Sequence, residues 1–239
     1  MLLRPPLTEA EDATVDDALT EGELSEVLTE ISGARVTRAN MAALAPGEWL
    51  NDEVINVFIH VLANNDHDQG PSDLPSCYFM NTLFYPKLAE SHSGYTYSNV
   101  RRWTRRADIM RKDMVLVPIH CHGDHWTLGV IKRTLRRFEY YDSRKGPCGN
   151  VLAFLRRWVL DEATAHATTL DLTSWEDVSY TTGNPQQLNG FDCGLFMLKT
   201  MQYLSQNARL DFAQSDMPLI RRRVIQELLS LRIHSLVAP

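Results

Sequence analysis

The chain of 239 residues carries a formal net charge of −6 and is 44% hydrophobic, which is ordinary for globular proteins and argues against a general nucleic-acid-binding protein. It has no run near the roughly 18 consecutive apolar residues that a membrane span requires, and it begins without the basic flank and apolar stretch of a secretory signal. We therefore expect a soluble, intracellular, monomeric protein. The expected organisation is one continuous domain over residues 1–239, in which residues 1–20 form an N-terminal arm.

The four cysteines stand far apart without C-x-x-C pairing, which disfavours a disulfide framework or a zinc knuckle. One local feature departs from the acidic average. Residues 101–112 hold six arginines and lysines against one aspartate. This basic segment is either a solvated face or a docking surface for an acidic protein partner.

Apolar spacing predicts helices and strands in an α+β order along the chain. Residues 7–30 predict a helix followed by a short connection. Asn51 or Asp52 can cap a second helix, in which apolar residues recur at three- and four-residue steps between Val54 and Leu62. Three β-rich runs follow, at 115–119, 126–131 and 138–141, and helical spacing returns at 151–159, after Cys193, and at 219–229. We expect helices around a small central antiparallel or mixed sheet.

Cys193 is the candidate nucleophile. It lies in the segment N-G-F-D-C-G at residues 189–194, and a helical pattern begins directly after it. At a helix N-terminus, the positive end of the dipole and the unbonded backbone N–H groups favour the reactive thiolate. Gly194 would let a substrate backbone approach closely. A buried structural cysteine is the alternative.

His125 and Asp142 are the candidate base and its orienting group. His125 begins one predicted strand and Asp142 ends the next, 17 residues later (142 − 125), so a hairpin would bring both to the same end of the sheet. Each residue also has an ordinary reading, as a structural histidine and as a turn-forming aspartate. A metal cluster of His120, Cys121, His122 and His125 is a third reading, which the strand alternation disfavours.

Gln187 is the candidate oxyanion donor. It lies six residues before Cys193 (193 − 187), in a segment that we expect to be a loop. Its amide and the backbone N–H of Cys193 could together stabilise an oxyanion. The neighbouring Gln186 offers the same chemistry.

With these residues in place, the chain resembles the Ulp/SENP family of SUMO-specific cysteine proteases. The similarity extends from about residue 20 onward and is ordered along the chain. The matching segments are residues 49–56, 81–82, 87–88, 102–104, 116–120, 125–126, 140–143, 185–187, 189–194 and 217–218. Leu83 departs from the family pattern, in which an aromatic residue is common at this position.

The resemblance implies that Cys193 is the nucleophile, His125 the base, Asp142 the orienting carboxylate and Gln187 the oxyanion donor. It further implies cleavage after the C-terminal Gly-Gly of SUMO, which covers deconjugation from lysine and precursor maturation. No metal or cofactor is implied. The expected partners are SUMO and SUMO-conjugated proteins, and the expected location is the nucleus, the cytoplasm or both.

Four further residues receive substrate-binding roles from the resemblance. Trp49 and Trp126 would close over the glycine pair, and only residues without side chains can thread between two large aromatic faces. Asp52 and Arg102 would contact the folded body of SUMO. Three alternatives stay open: the same chemistry on another ubiquitin-like modifier, an acyltransferase, and a catalytically inactive binding module. The basic run 221–223 lies inside a predicted helix and is poor evidence for a nuclear signal.

Overall fold

A computed structural model of the chain divides into two compact units, and each is described by itself. Unit 1 comprises Met1–Leu74 and Pro185–Pro239, and unit 2 comprises Pro75–Asn184. The described residues are 6–68, 74–90, 94–105, 107–121, 123–180 and 183–236. The single domain over residues 1–239 stays a prediction.

Seven α-helices occur among the described residues, with several short 3-10 turns between them. They are α1 Glu9–Thr20, α2 Arg38–Met41, α3 Asp52–Asp68, α4 Phe84–Leu88, α5 Val151–Ala165, α6 Cys193–Ser205 and α7 Met217–Ser230.

Nine strands occur in the same part of the chain, in three sheets. They are β1 Val27–Ile31, β2 Ala34–Thr37, β3 Cys77–Phe79, β4 Ala89–Glu90, β5 Gly94–Tyr95, β6 Met114–Cys121, β7 His125–Lys132, β8 Arg137–Tyr141 and β9 Glu176–Tyr180. The largest sheet has the order β3-β6-β7-β8-β9. Its central pairs β6–β7 and β7–β8 are antiparallel, while β3 and β9 pair in parallel at its edges. The predicted α+β fold with an antiparallel or mixed sheet is confirmed.

In unit 1, helix α6 is buried along almost its whole length, since only Leu204 among its residues is not buried. A helix that is buried on all sides must be enclosed by other elements, and its buried polar side chains need partners there. The helices α3 and α7 both contact it. Each apolar side chain that such a helix buries contributes about 1.5–3 kcal/mol. The N-terminal end of α6 is therefore a fixed point of unit 1.

In unit 2, helix α5 packs closely on the large sheet. A Cβ atom placed on Gly129 of β7 would lie 2.7 Å from Cδ1 of Leu155, so any larger residue would have to displace that side chain. The fully buried Trp158 of the same helix makes an edge-on contact with Phe84, with ring centroids 5.1 Å apart. The helix thus covers one face of β7 and β8, the strands that carry the candidate base and carboxylate.

One prediction is only partly correct. The segment 7–30, expected to be a helix and a short connection, contains α1 but ends inside strand β1. The second helix begins as expected, and Asn51 is its cap, because its Oδ1 accepts a hydrogen bond of 2.9 Å from the backbone N–H of Val54. The polar, turn-rich residues 64–76 predict a linker; residues 64–68 instead belong to α3, and residues 69–73 lie outside the described residues.

Candidate active site

His125 and Asp142 are joined by a direct hydrogen bond in unit 2. His125 is the first residue of β7, and Asp142 follows the last residue of β8. The antiparallel pairing of these strands brings them to one end of the sheet. His125 Nε2 lies 2.6 Å from Asp142 Oδ1, and both side chains are buried. The predicted juxtaposition therefore exists.

The Asp142 carboxylate is held by backbone as well as by histidine. Its Oδ1 accepts from the N–H of Arg144 at 2.7 Å, and its Oδ2 accepts from the N–H of Gly146 at 2.8 Å. Burial tends to raise the pKa of Asp142, but the hydrogen bonds from His125, Arg144 and Gly146 outweigh it, so the net pKa lies below the ordinary value. The side chain is a carboxylate at neutral pH.

This ionisation fixes the tautomer of His125. A carboxylate can only accept hydrogen bonds, so Nε2 carries the proton that is donated to Asp142. In the neutral imidazole the basic nitrogen is then Nδ1. His125 is thus prepared to take up a proton at Nδ1, and the resulting imidazolium would be stabilised by the carboxylate at Nε2.

In unit 1, Cys193 is the first residue of α6, as expected from the pattern that follows it. The thiol is buried, with 2% of its surface exposed. The turn before it is held by Asn189, whose Oδ1 accepts from the N–H groups of Phe191 and Asp192 at 3.2 and 3.1 Å. The nucleophile candidate therefore sits on a rigid helix start.

Asp192, directly before Cys193, is a centre of polar contacts that the sequence reading did not identify. Its Oδ2 accepts from Asn189 Nδ2 at 2.6 Å and from Gln214 Nε2 at 2.7 Å. Its Oδ1 accepts from Arg221 of helix α7. One signal was present in the sequence. Helical spacing puts Arg221 on the same face as the apolar Val224 and Ile225, three and four residues later, where a charged residue needs a partner.

Gln187 lies on a loop, as expected, and is buried, whereas Gln186 is half-buried. The Gln187 amide Nε2 donates to the carbonyl oxygen of Asn189 at 2.6 Å. This contact holds the amide within the loop that leads to Cys193. Its role as an oxyanion donor stays a prediction.

The two tryptophans differ in exposure. Trp49 lies in the segment before α3 and is 51% exposed, so a large aromatic surface faces solvent. Trp126, next to His125 on β7, is 5% exposed, and its ring stacks on His120 with centroids 4.3 Å apart. Their predicted role at the glycine pair is not tested by these positions.

Asp52 and Arg102 are both exposed, at the first residue of α3 and in a turn of unit 2. Exposure is compatible with contact to a protein partner. In the basic segment, Arg101, Arg105 and Arg111 are exposed as well, while Arg106 lies outside the described residues. Leu83, where the family pattern is broken, is 53% exposed.

The structure bears on two further sequence interpretations. At Gly194, a Cβ atom would lie 2.9 Å from the Cβ of Leu50, so it is the packing of Leu50 that requires glycine here. Among the described residues, no group of three or more His, Cys, Asp and Glu side chains could hold a metal ion, and His122 of the alternative cluster lies outside them. No helix in the described part of the chain has the length and apolar character to cross a membrane.

The sequence also matches a family model. Residues 48–233 match the Ulp1 protease family, C-terminal catalytic domain. The chain belongs to this family. Three Arabidopsis thaliana proteases are 37% to 39% identical to 95% of the chain, among them the ubiquitin-like-specific protease ESD4 at 39%. The chain spans 68%, 47% and 46% of the lengths of these three relatives.

Solved structures agree with the family. The Ulp1 protease domain in complex with Smt3, the yeast orthologue of SUMO, has a TM-score of 0.80 and 29% identity, covering 96% of this chain and 98% of that one. A structure of Ulp1 whose catalytic cysteine is oxidised to a sulfinic acid has a TM-score of 0.79 and 29% identity, covering 95% and 96%. These matches confirm the predicted family, the predicted fold and the predicted enzyme class, a cysteine protease.

Proposed function

We propose that this chain is a SUMO-specific cysteine protease and isopeptidase that cleaves after the C-terminal Gly-Gly of SUMO. The observation that carries the proposal is the 2.6 Å bond between His125 Nε2 and Asp142 Oδ1, because it prepares an imidazole base. The similarity to Ulp1, a protease solved in complex with a SUMO orthologue, supports the choice of modifier. Both units would act as one catalytic domain.

In the proposed reaction, Nδ1 of His125 takes the proton of the Cys193 thiol. The thiolate attacks the carbonyl carbon of the last glycine, and the oxyanion is stabilised by the Gln187 amide and the backbone N–H of Cys193. The imidazolium then protonates the departing amine, which leaves a thioester. Water, deprotonated by the same histidine, hydrolyses the thioester and regenerates the thiol. The reaction needs no metal or cofactor.

Substrate selection is proposed to have two levels. Trp49 and Trp126 restrict the scissile tail to glycine, because their aromatic rings leave no room for side chains. Asp52 and Arg102 contact the folded body of SUMO as exposed charges, which affect association rate and selectivity more than affinity. The leaving group is a lysine ε-amine in deconjugation or an α-amine in precursor maturation. The enzyme would act as a monomer in the nucleus, the cytoplasm or both, without nucleic acid or membrane partners.

The test is labelling by C-terminal electrophiles built on SUMO, ubiquitin and other ubiquitin-like proteins. We expect a covalent adduct with the SUMO probe. The adduct should be lost in Cys193→Ser and retained in Cys148→Ser, which alters a half-buried thiol outside the proposed mechanism. If only a probe built on another modifier labels the chain, that modifier and not SUMO is the substrate. Labelling that survives Cys193→Ser would overturn the mechanism.

A further inference from the structure

Arg221 is a buried arginine in unit 1 that the proposed mechanism does not yet use. It lies near the N-terminal end of α7 with 4% of its surface exposed. Its neighbour Arg222 behaves differently, because it is half-buried and pairs with Asp12 and Asp16 of α1, each at 2.7 Å. A buried guanidinium needs partners for all of its N–H groups.

The guanidinium of Arg221 has five N–H donors and makes five hydrogen bonds. Nε and Nη2 both donate to Asp192 Oδ1, at 3.1 and 2.6 Å. Nη1 donates to the carbonyl oxygens of Ala45 at 2.8 Å and Ala43 at 3.3 Å, and Nη2 donates to that of Glu48 at 2.8 Å. One planar group thus binds a side chain and three backbone carbonyls.

Two of these partners are neighbours in sequence of proposed active-site residues. Asp192 immediately precedes Cys193, and Glu48 immediately precedes Trp49. The same two segments also meet by packing. Leu50 lies so close to Gly194 that a Cβ atom on Gly194 would not fit. The segment 43–50 and the start of α6 are therefore connected both by polar bonds and by packing.

We propose that Arg221 is a positioning residue that holds the Cys193 thiol and the Trp49 segment in register with each other. The inference rests on the proposed function, in which these two residues meet the same substrate tail. A buried ion pair contributes little net stability compared with apolar packing, and in some proteins its role is instead to specify geometry. A misplacement of about 1 Å at a reacting group can lower a rate about 10²-fold.

The test compares two matched substitutions in neighbouring arginines. Arg221→Lys keeps the charge but loses the planar fork that contacts three carbonyls and a carboxylate at once. Arg222→Lys makes the same change in a residue whose hydrogen bonds and ion pairs within the described ranges are to Asp12 and Asp16 of α1. The measurements are kcat and KM on a SUMO C-terminal fluorogenic amide, thermal unfolding, and the rate of Cys193 alkylation by iodoacetamide. We expect Arg221→Lys to lower kcat by about 10- to 100-fold, to raise KM and to change the alkylation rate severalfold. Arg222→Lys should stay within about two-fold of the original chain, since it removes a partly exposed pair.

A second variant keeps the inference testable if Arg221→Lys does not fold. Asp192→Asn weakens the link to Cys193 but leaves the three carbonyl contacts of the Trp49 segment in place. It should lower kcat with little change in KM. A folded Arg221→Lys whose kcat and alkylation rate match those of Arg222→Lys would show a purely structural role. An unchanged kcat in Asp192→Asn would overturn the proposal as well.

The alkylation assay separates this inference from the proposed function. It uses no modifier. Because Cys121 and Cys148 are half-buried free thiols, the alkylated Cys193 peptide is quantified by mass spectrometry, so that the rate reports how the Cys193 thiol is presented. If the original chain does not cleave the SUMO amide, the proposed substrate is wrong. A difference in alkylation between Arg221→Lys and Arg222→Lys would then still support the positioning role, and equal rates would reject it.

Discussion

Asp142 is the residue on which the chemistry of the His125 pair depends. Its carboxylate accepts from one imidazole and two backbone N–H groups. Such a carboxylate both selects the Nε2–H tautomer and stabilises the imidazolium that forms during the reaction. Asp142→Asn keeps the shape of the side chain, but its amide cannot stabilise that charge. We expect the rate constant of cleavage in single-turnover assays on a SUMO amide to fall by about 10³- to 10⁴-fold, as when the carboxylate of other catalytic triads is replaced.

The same variant has a predicted pH signature. The folded-state pKa of Asp142 lies below its ordinary value of 3.8. Its contribution to the free energy of unfolding is therefore fully present above that value and is lost as the pH falls through the lowered pKa. In urea unfolding between pH 2 and pH 7, the free energy of unfolding should fall less steeply with acid for Asp142→Asn than for the original chain. An equal fall in both would mean that other carboxylates determine the acid sensitivity of stability.

Gly146 is required by the geometry of this carboxylate. A Cβ atom there would lie 2.5 Å from Asp142 Oδ2, while the Gly146 N–H donates to that same oxygen. Gly146→Ala must displace the carboxylate or the loop, so we expect kcat to fall about 10-fold or more. Arg144→Ala is the control, because Arg144 contributes only its backbone N–H to Asp142 and its side chain is exposed. Equal kcat values for the two variants would contradict this explanation.

Pairing within a hairpin could be predicted from the sequence, whereas contacts across helices could not. His125 and Asp142 meet because an antiparallel turn brings one strand start and one strand end together. The contact between Asp192 and Arg221 spans 29 residues and depends on how α7 packs. Neither residue carries a local pattern that names its partner.

At the scale of elements, strand β1 could not be predicted, because the apolar residues in and before it also fit the spacing of a helix. Leu24, Val27 and Ile31 recur at three- and four-residue steps, which mimics a helix. The two residues after the strand form a turn that pairs it with β2. Ser32 and Gly33 both have positive φ, at 52° and 80°, and they connect Ile31 to its partner Ala34. This is the two-residue turn that suits a twisted hairpin.

Helices α6 and α7 are joined by a buried ion pair in unit 1. Lys199 Nζ lies 2.9 Å from Glu227 Oε2 and donates to Gln202 Oε1 at 2.7 Å. Glu227 is fully buried, and its Oε1 accepts from the backbone N–H of His234 at 2.9 Å. The Glu227 carboxylate thus connects α7 to Lys199 of α6 and to His234 in the segment after α7.

Removing only one partner of this pair should destabilise unit 1 strongly. Lys199→Met leaves the buried carboxylate of Glu227 without its cation, so we expect the free energy of unfolding in urea to fall by about 3–5 kcal/mol. Adding Glu227→Gln should restore part of that loss, because the amide oxygen can still accept from His234. The exposed Lys87→Met should change it by less than about 0.5 kcal/mol. A double variant less stable than Lys199→Met would argue against the pair as the cause.

At the scale of the whole molecule, the folded chain extends beyond the region that matches the family model. That match begins at residue 48, yet α1, β1 and β2 precede it within unit 1. They are tied to α7 by the pairs of Arg222 with Asp12 and Asp16 and by a buried bond of 2.9 Å from Thr29 Oγ1 to the Leu228 carbonyl. The predicted arm, residues 1–20, therefore contains a packed helix.

If α1 belongs to the core of unit 1, a cavity in α1 should destabilise the same cooperative transition as a cavity elsewhere. Val15 is fully buried in α1, whereas Thr14 beside it is exposed, and its hydroxyl donates to the Ala10 carbonyl of the same helix. We expect Val15→Ala to lower the free energy of unfolding by about 1–3 kcal/mol and Thr14→Ala to stay within about 0.5 kcal/mol. Circular dichroism and the rate of SUMO cleavage should report one common midpoint in urea for Val15→Ala. A separate early transition, with cleavage unaffected, would instead show that α1 unfolds independently of the helices that carry Cys193 and Arg221.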